Sequence, residues 1–347
     1  MRWDGIHIAA VGSWLPEPVP AERAVREGGY DAERCATLGY VSALVADDVA
    51  PPDMAVRAAR SALERSGVAP AEFSLLLHGS LWFQGLDIWP AASYVAARTV
   101  GRTVPAMDVQ QRCNIGLGAI EMAAAHLTAG VRPGSAAMVT TADRWAGPAV
   151  DRWNLHDSNV YGDGGTALVL SRAGGFARLL STVTAADNSL EGATRGDEPF
   201  RTASPAATEP IDLIGRARAY GAEQSAAGAD PTALVFRFAR TMIAAKTAAL
   251  ADAGLSTGDL ARVVVPATGR NPGDHQLHDV LDVPEQLTTW DFGRVTGHVG
   301  GGDWAAGLEH LVTTGAVAAG DRVLLFGGGA GYTCTAAVLE ITDVPSW

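Results

Sequence analysis

The residue best placed for chemistry in this chain is Cys113. Met107-Asp108-Val109 reads as the end of a strand, Gln110 to Asn114 as a turn, and Ile115-Gly116-Leu117-Gly118-Ala119-Ile120 as the start of a small-residue helix. A cysteine at a helix entrance meets unpaired backbone N–H groups and the positive end of the helix dipole, which favour thiolate over thiol, the form that attacks carbonyl carbon. Gly116 and Gly118 keep the first turn uncrowded, so a thioester can approach the sulfur. Taken alone, the turn is equally compatible with a buried, inert cysteine. That role suits Cys35, in an irregular segment, and Cys334, inside an apolar strand, better.

The elements that position Cys113 occur twice. Met54 to Gly67 reads as an amphipathic helix, followed by a connection over Val68 to Ser74 and a buried strand at Leu75 to His78. Phe238 to Gly254, Leu255 to Arg262 and Val263 to Val265 repeat that order, with Gly67 and Gly254 187 positions apart. Ala119 to Gly130, Pro133-Gly134 and Ala136 to Thr140 are matched by Ala305 to Gly315, Gly320 and Arg322 to Phe326, and Gly134 and Gly320 are 186 apart. Two landmarks with nearly one offset predict two copies of a βαβ-type module related by an approximate two-fold axis. The boundary falls near Gly174-Gly175, giving halves 1–174 and 175–347. Apolar strands alternating with helices predict an α/β fold in layers of helix, sheet, helix, sheet and helix. The stretch Ala185 to Thr232 is polar, rich in Gly, Ala and Pro, and weakly periodic; it reads as a cap over a site or as a loop.

The offset of 186 carries Cys113 into the turn Gly297-His298-Val299 of the second half. Equivalent turns of a pseudo-symmetric pair face each other, so a thiol and an imidazole are expected to converge. Among the eight histidines His298 alone is placed this way; His126 and His310 lie inside helices, and His275 and His278 follow a polar loop. Asp303, beyond Gly300-Gly301-Gly302, has two readings: third member of a triad, accepting the second ring N–H of His298, or N-cap of the helix beginning at Trp304. Gly327-Gly328-Gly329-Ala330-Gly331 after the strand ending at Phe326 lets backbone N–H groups approach a ligand, as an oxyanion site requires. Tyr161-Gly162-Asp163-Gly164-Gly165 reads as a tight turn or a second such loop. Neither has phosphate-binding spacing, which argues against a nucleotide.

Composition narrows the classes. With 347 residues, 48% of them hydrophobic, the chain can bury an extensive core. A formal net charge of −12 and no basic block argue against a nucleic-acid or anionic-membrane partner. The N-terminal residues lack a secretory pattern and no stretch has the length of a membrane span, so a cytoplasmic protein is expected. Three widely spaced cysteines fit neither a disulfide framework nor a zinc site, and no metal or cofactor is expected. Trp82, Phe83, Trp145, Trp153 and Trp304 are candidates to line a substrate pocket, though most aromatics at this frequency belong to the core.

Across nearly its whole length the sequence resembles the β-ketoacyl synthase III family of the thiolase fold. The resemblance is carried by Ala59 to Gly79, Met107 to Gly118, Tyr161 to Ala167, Leu250 to Pro266 and Gly320 to Leu339. It implies a five-layered αβαβα homodimer, Cys113 as the acyl-accepting residue, and an oxyanion site made by the backbone of Gly329 and Ala330 with the Cys113 N–H. Trp89-Pro90 matches a position that in the family reaches the partner's acyl pocket. Condensing members carry a histidine after the Val-Pro of a strand and an asparagine in the Gly-Asn turn, where this chain has Ala267 and His298. Deleting one donor and replacing the other with a base removes charge stabilisation for carbon–carbon bond formation and suits deprotonation of an alcohol or amine. The Cys113, His298, Asp303 pattern is similar to the acyltransferase branch found in antibiotic pathways, which moves acyl groups from acyl carrier protein or coenzyme A to sugars or aminocyclitols. The segment Arg34 to Pro52 lacks the Trp and Arg that hold the coenzyme A adenine in typical members, which leans toward a carrier-protein donor. The alternatives are a condensing or starter-unit-selecting synthase and a catalytically silent partner subunit.

Overall fold

Leu75-Leu76-Leu77 and Val263-Val264 are buried whichever way their side chains point, as parallel strands covered on both faces must be. In the computed structural model, which describes residues 1–130, 135–200, 209–270 and 276–347, these runs are central to a mixed sheet. Its strands are β1 (His7–Trp14), β4 (Phe73–Gly79), β5 (Ala106–Val109), β6 (Ala136–Asp143), β7 (Gly164–Ser171), β8 (Ala177–Ala186), β9 (Arg262–Val264), β10 (Arg322–Gly329) and β11 (Thr333–Ile341), with β2 (Pro18–Pro20) and β3 (Ser42–Leu44) paired separately. The helices are α1 (Ala21–Arg26), α2 (Ala32–Leu38), α3 (Pro51–Ser66), α4 (Ala91–Arg98), α5 (Ile115–Ala129), α6 (Gly192–Arg195), α7 (Leu213–Ala226), α8 (Pro231–Ala253), α9 (Leu277–Val280), α10 (Trp290–Thr296) and α11 (Asp303–Thr313).

Both halves use one pairing scheme. β4 is parallel to β6, β6 antiparallel to β7, and β7 antiparallel to β1. Likewise β9 is parallel to β10, β10 antiparallel to β11, and β11 antiparallel to β8. β6 and β10 are offset by 186 residues at both ends. β5 adds a parallel edge strand beside β4, and the corresponding place beside β9 holds a single bridge from Val263 to Thr288. The two sets of strands are not separate in hydrogen bonding. His7↔Arg178 and Ile8↔Ala177 join β1 to β8, giving the order β5-β4-β6-β7-β1-β8-β11-β10-β9.

The layers follow from what each face buries. α3 and α4 pack Met54, Ala58, Ala62 and Val95 against Phe73, Leu76 and Met138 of the first set of strands. α8 packs Ala245, Ala249 and Leu250 against Val263, Leu324 and Val338 of the second. Between them α5 and α11 share one core with Leu75, Val139 and Leu168 on one side and Leu325 and Leu339 on the other, so the sequence of layers is helix, sheet, helix, sheet, helix. Close approach of α3 to the sheet requires Gly165, whose Cβ would lie 2.5 Å from the Met54 backbone.

Differences from the sequence expectations lie in the connections. α8 begins at Pro231, ahead of the expected Phe238; Val235 and Phe236 in its early turns are exposed, so burial patterning does not mark them as helix. Within 185–232, β8 continues to Ala186 and α7 forms with Asp212 capping the N–H of Gly215 at 2.7 Å. Tyr220 is the one buried residue of α7, so hydrophobic periodicity could not reveal that helix. Pro133-Gly134 and His275 lie outside the described residues.

Candidate active site

After β5 the backbone turns through Arg112 at φ +50°, and Arg112–Asn114 forms one 3₁₀ turn that runs into α5. Cys113 is half-buried at that entrance. The turn is gripped from the other half of the molecule: buried Asn114 accepts the Thr335 N–H at 3.0 Å and donates to the Thr335 hydroxyl and to Gln111 Oε1, both at 2.8 Å. Gly329 at the end of β10 lies so close that a Cβ there would be 2.6 Å from the Gln111 carbonyl oxygen and 2.8 Å from the Asn114 nitrogen. Backbone of Gly329 therefore borders the Cys113 turn, at a place where only a residue without a side chain fits.

His298 is held by main chain on both sides, its N–H donating to the Val160 carbonyl at 2.7 Å and its carbonyl accepting from Gly162 at 3.0 Å. Its Nδ1 lies 2.5 Å from Asp303 Oδ2. The same carboxylate accepts the N–H of Ala267 (2.8 Å) and of Val299 (2.7 Å), so both oxygens are fixed. Gly302, not Asp303, occupies the N-cap of α11, which leaves Asp303 committed to the imidazole and these two amides. Nδ1 with a carboxylate partner directs Nε2 away from Asp303; the buried Nε2 has no nitrogen or oxygen partner among the described residues, and the ring interacts with the Cys113 side chain. Burial disfavours a charged ring, but Asp303 and the Cys113 thiolate outweigh it and hold the His298 pKa well above its usual value. The two turns are in contact: a Cβ on Gly301 would lie 2.6 Å from Ile115 Cγ2 and 3.5 Å from the Gly116 nitrogen.

Aromatic residues wall the site. The Tyr161 ring lies 5.3 Å from the His298 ring and 4.2 Å from Trp145, centroid to centroid. Burial pushes the Tyr161 and Tyr332 phenols well above their ordinary pKa, and Cys113 adds to both shifts; these hydroxyls stay neutral beside the thiol. Asp163, fully buried, forms a two-pronged pair with Arg152 at 2.9 and 3.0 Å and accepts the N–H of Ala46 and of Trp145. The Tyr161 to Gly165 segment is thus a structural hub that presents Tyr161 to His298, a function its glycine spacing did not reveal.

The pocket residues read from the sequence separate. Trp82 packs against the Trp145–Tyr161 cluster. Trp153 packs on Tyr30 at 5.2 Å and Trp89 edge-on against Tyr94 at 5.3 Å. Phe83 is 49% exposed and faces solvent. Trp304 does not line a pocket: it is buried in the central core, its indole N–H donating to the Gly301 carbonyl and its ring filling the space left by the missing side chain of Gly116. Among the described residues no group of three His, Cys, Asp or Glu side chains could hold a metal ion, and no helix is long and apolar enough to cross a membrane.

Thiolase-type layers, with a cysteine at the entrance of one central helix and a histidine turn at the entrance of the other, define a class of acyl-handling proteins. The chain belongs to the 3-oxoacyl-[acyl-carrier-protein] synthase III family, whose N-terminal model matches residues 107–188 and whose C-terminal model matches 250–341. The solved structure of ChlB3, described as an acyltransferase, superposes with a TM-score of 0.91 at 37% identity over 99% of both chains. The mycobacterial β-ketoacyl-[acyl-carrier-protein] synthase III of Mycobacterium tuberculosis is 27% identical over 301 residues, 85% of this chain and 83% of that one. The 3-oxoacyl-[acyl-carrier-protein] synthase III of Aquifex aeolicus shares the fold with a TM-score of 0.76 at 20% identity, over 96% of this chain and 99% of the other.

Proposed function

We propose that the protein takes an acyl group from an acyl carrier protein or coenzyme A thioester onto Cys113 and passes it to a hydroxyl or amine of a small molecule such as a sugar or aminocyclitol. The observation that carries this reading is the His298–Asp303 pair, whose imidazole interacts with the Cys113 side chain on its other side. The Cys113 thiolate attacks the thioester carbonyl, and the oxyanion forms at the Cys113 N–H and the Gly329-Ala330 backbone. Imidazolium His298 gives its proton to the departing thiolate. The neutral ring then takes the proton of the acceptor O–H or N–H as that atom attacks the acyl carbon, and the Cys113 thiolate leaves. No cofactor enters these steps.

Ala267 supports transfer over condensation. It offers a methyl group where condensing members have a histidine, and its N–H is occupied by Asp303. The name of ChlB3 agrees with transfer, whereas the synthase III relatives favour a second reading, a condensing or starter-unit-selecting enzyme. Intact-mass spectrometry after incubation with acyl thioester tests the first step; the protein gains the acyl mass and Cys113→Ala does not. Absence of that adduct would leave a silent partner subunit. Release of CO₂ from malonyl thioester by the pure protein would replace transfer with condensation. A homodimer is part of the proposal, supported by the outer edge of β5, which pairs with no strand among the described residues and exposes Met107; a cytoplasmic location is proposed with it.

A further inference from the structure

Asp143 is a buried carboxyl, 1% exposed, for which the transfer steps have no task. It closes β6 and reaches in two directions. Its Oδ1 accepts the N–H of Leu81 at 2.9 Å and of Trp82 at 2.8 Å, and its Oδ2 lies 3.1 Å from the Leu81 nitrogen. Toward the base, a Cβ built on Gly300 would lie 3.0 Å from Asp143 Oδ2 and 3.5 Å from Trp145 Cζ2. Gly300 adopts φ +61°, so a bare, left-handed residue lets the chain two positions after His298 rest on this carboxylate.

The 81–84 loop is tied down a second time. Gln84 donates to the carbonyls of Ala142 (3.0 Å) and Trp82 (3.2 Å) and meets His78 Nε2 at 3.2 Å, while His78 Nδ1 meets the Thr140 hydroxyl at 2.9 Å. A polar network satisfied this fully holds the loop in one position. The loop carries Trp82 into the aromatic cluster beside His298.

The charged groups around Asp143 can be named. His298, ion-paired with Asp303, and Asp163, paired with Arg152, both interact electrostatically with it. His78, on β4, is kept neutral by burial. Burial raises the Asp143 pKa to about 7 against the pull of the Trp82 and Leu81 N–H groups and of His298. We propose that Asp143 is a positioning residue for acyl transfer: one carboxylate fixes both the Leu81-Trp82 loop and the Gly300 turn behind His298, and its charge favours the imidazolium that accompanies the Cys113 thiolate.

The proposal rests on His298 acting with Cys113, and its test reads that pair without any acceptor. Asp143 gains its charge as pH rises, which strengthens the ion pair, so alkylation of Cys113 by iodoacetamide, followed by peptide mass with Cys113→Ala as control, rises through a step near neutrality. The infrared carbonyl band of a protonated buried carboxyl fades over the same range. Asp143→Asn keeps an acceptor for the loop but no charge; it loses the step and is alkylated at pH 8 roughly tenfold more slowly, the equivalent of one pKa unit of lost ion-pair stabilisation. Asp143→Glu restores most of the step. A folded Asp143→Asn protein with the parental profile overturns the proposal. Should that variant fail to fold, the unmutated protein decides: a step coincident with the infrared change supports the role, and no step between about pH 6 and 8, or one at a different pH, refutes it. A protein that shows the step but acylates no hydroxyl or amine would remove the acceptor assignment and leave Asp143 its role.

Discussion

Replacing Asp303 with asparagine is the most exacting test of the His298 assignment, because the structure shows what the carboxylate does with each oxygen. Oδ2 receives the His298 Nδ1 proton and the Ala267 N–H, and Oδ1 receives the Val299 N–H. An amide supplies one oxygen and one NH₂. If its oxygen faces Val299, the NH₂ drives the ring to the other tautomer, which puts the proton on Nε2 and removes the base. If the oxygen faces the ring, the NH₂ opposes the Val299 donor, a buried mismatch worth about 1–3 kcal/mol. Either way the negative charge that stabilises imidazolium is gone.

The lower bound on the kinetic loss is one charge-assisted hydrogen bond, about 1.5–3 kcal/mol, or roughly 10- to 150-fold in rate. The upper bound is the roughly 10⁴-fold loss of kcat that the same change causes in a Ser-His-Asp triad. Pre-steady-state quench separates the steps: acyl-enzyme formation, helped by the helix entrance, should fall less than acyl transfer to the acceptor, which needs Nε2 as base. An Asp303→Asn protein that transfers within a few-fold of the parent would show that His298 does not act through this carboxylate.

Further outcomes follow from other contacts. Gly116→Ala sets a Cβ 1.6 Å from Trp304 Nε1 and 2.2 Å from the Gly301 carbonyl oxygen; chemical denaturation should show a loss of about 3 kcal/mol or more, whereas Gly221→Ala, with open space inside α7, should be neutral or stabilise by up to about 1 kcal/mol. Arg152→Leu leaves the Asp163 carboxylate buried without its cation, and urea unfolding should register a loss of about 3–5 kcal/mol. Because the folded His298 pKa is raised, the stability it contributes is fully present below the unfolded value of about 6.5 and is lost as pH rises through the folded one. The gap in unfolding free energy between the parent and His298→Gln should therefore narrow from about pH 6.5 upward.

Legibility in the sequence depended on whether a feature repeated. The 186-residue offset between β6 and β10 is visible as matching strand-helix runs, and it led from Cys113 to the turn of His298 without knowledge of any contact. Trp304 was not legible as a packing residue, because the cavity it fills belongs to Gly116, 188 positions earlier, and no local pattern links the two. Asp143 ends an apolar strand like many polar residues do; its importance comes from Leu81, Trp82 and Gly300, which only tertiary structure assembles. The short β1–β8 joint is likewise a meeting of edges, and strand periodicity carries no information about which edges meet.

The sharing of one core by α5 and α11 also bears on when the sulfur becomes reactive. Cys113 and His298 are separated by 185 positions, and the chain that carries the base is made long after the chain that carries the thiol. On the proposed transfer mechanism, the cysteine lacks its base and the Gly329-Ala330 part of the oxyanion site until Asp303 has left the ribosome and the second half has closed over the first. On that mechanism, synthesis from the N-terminus delays arming of the nucleophile to the end of assembly, and a half-made chain does not capture acyl groups it could not pass on.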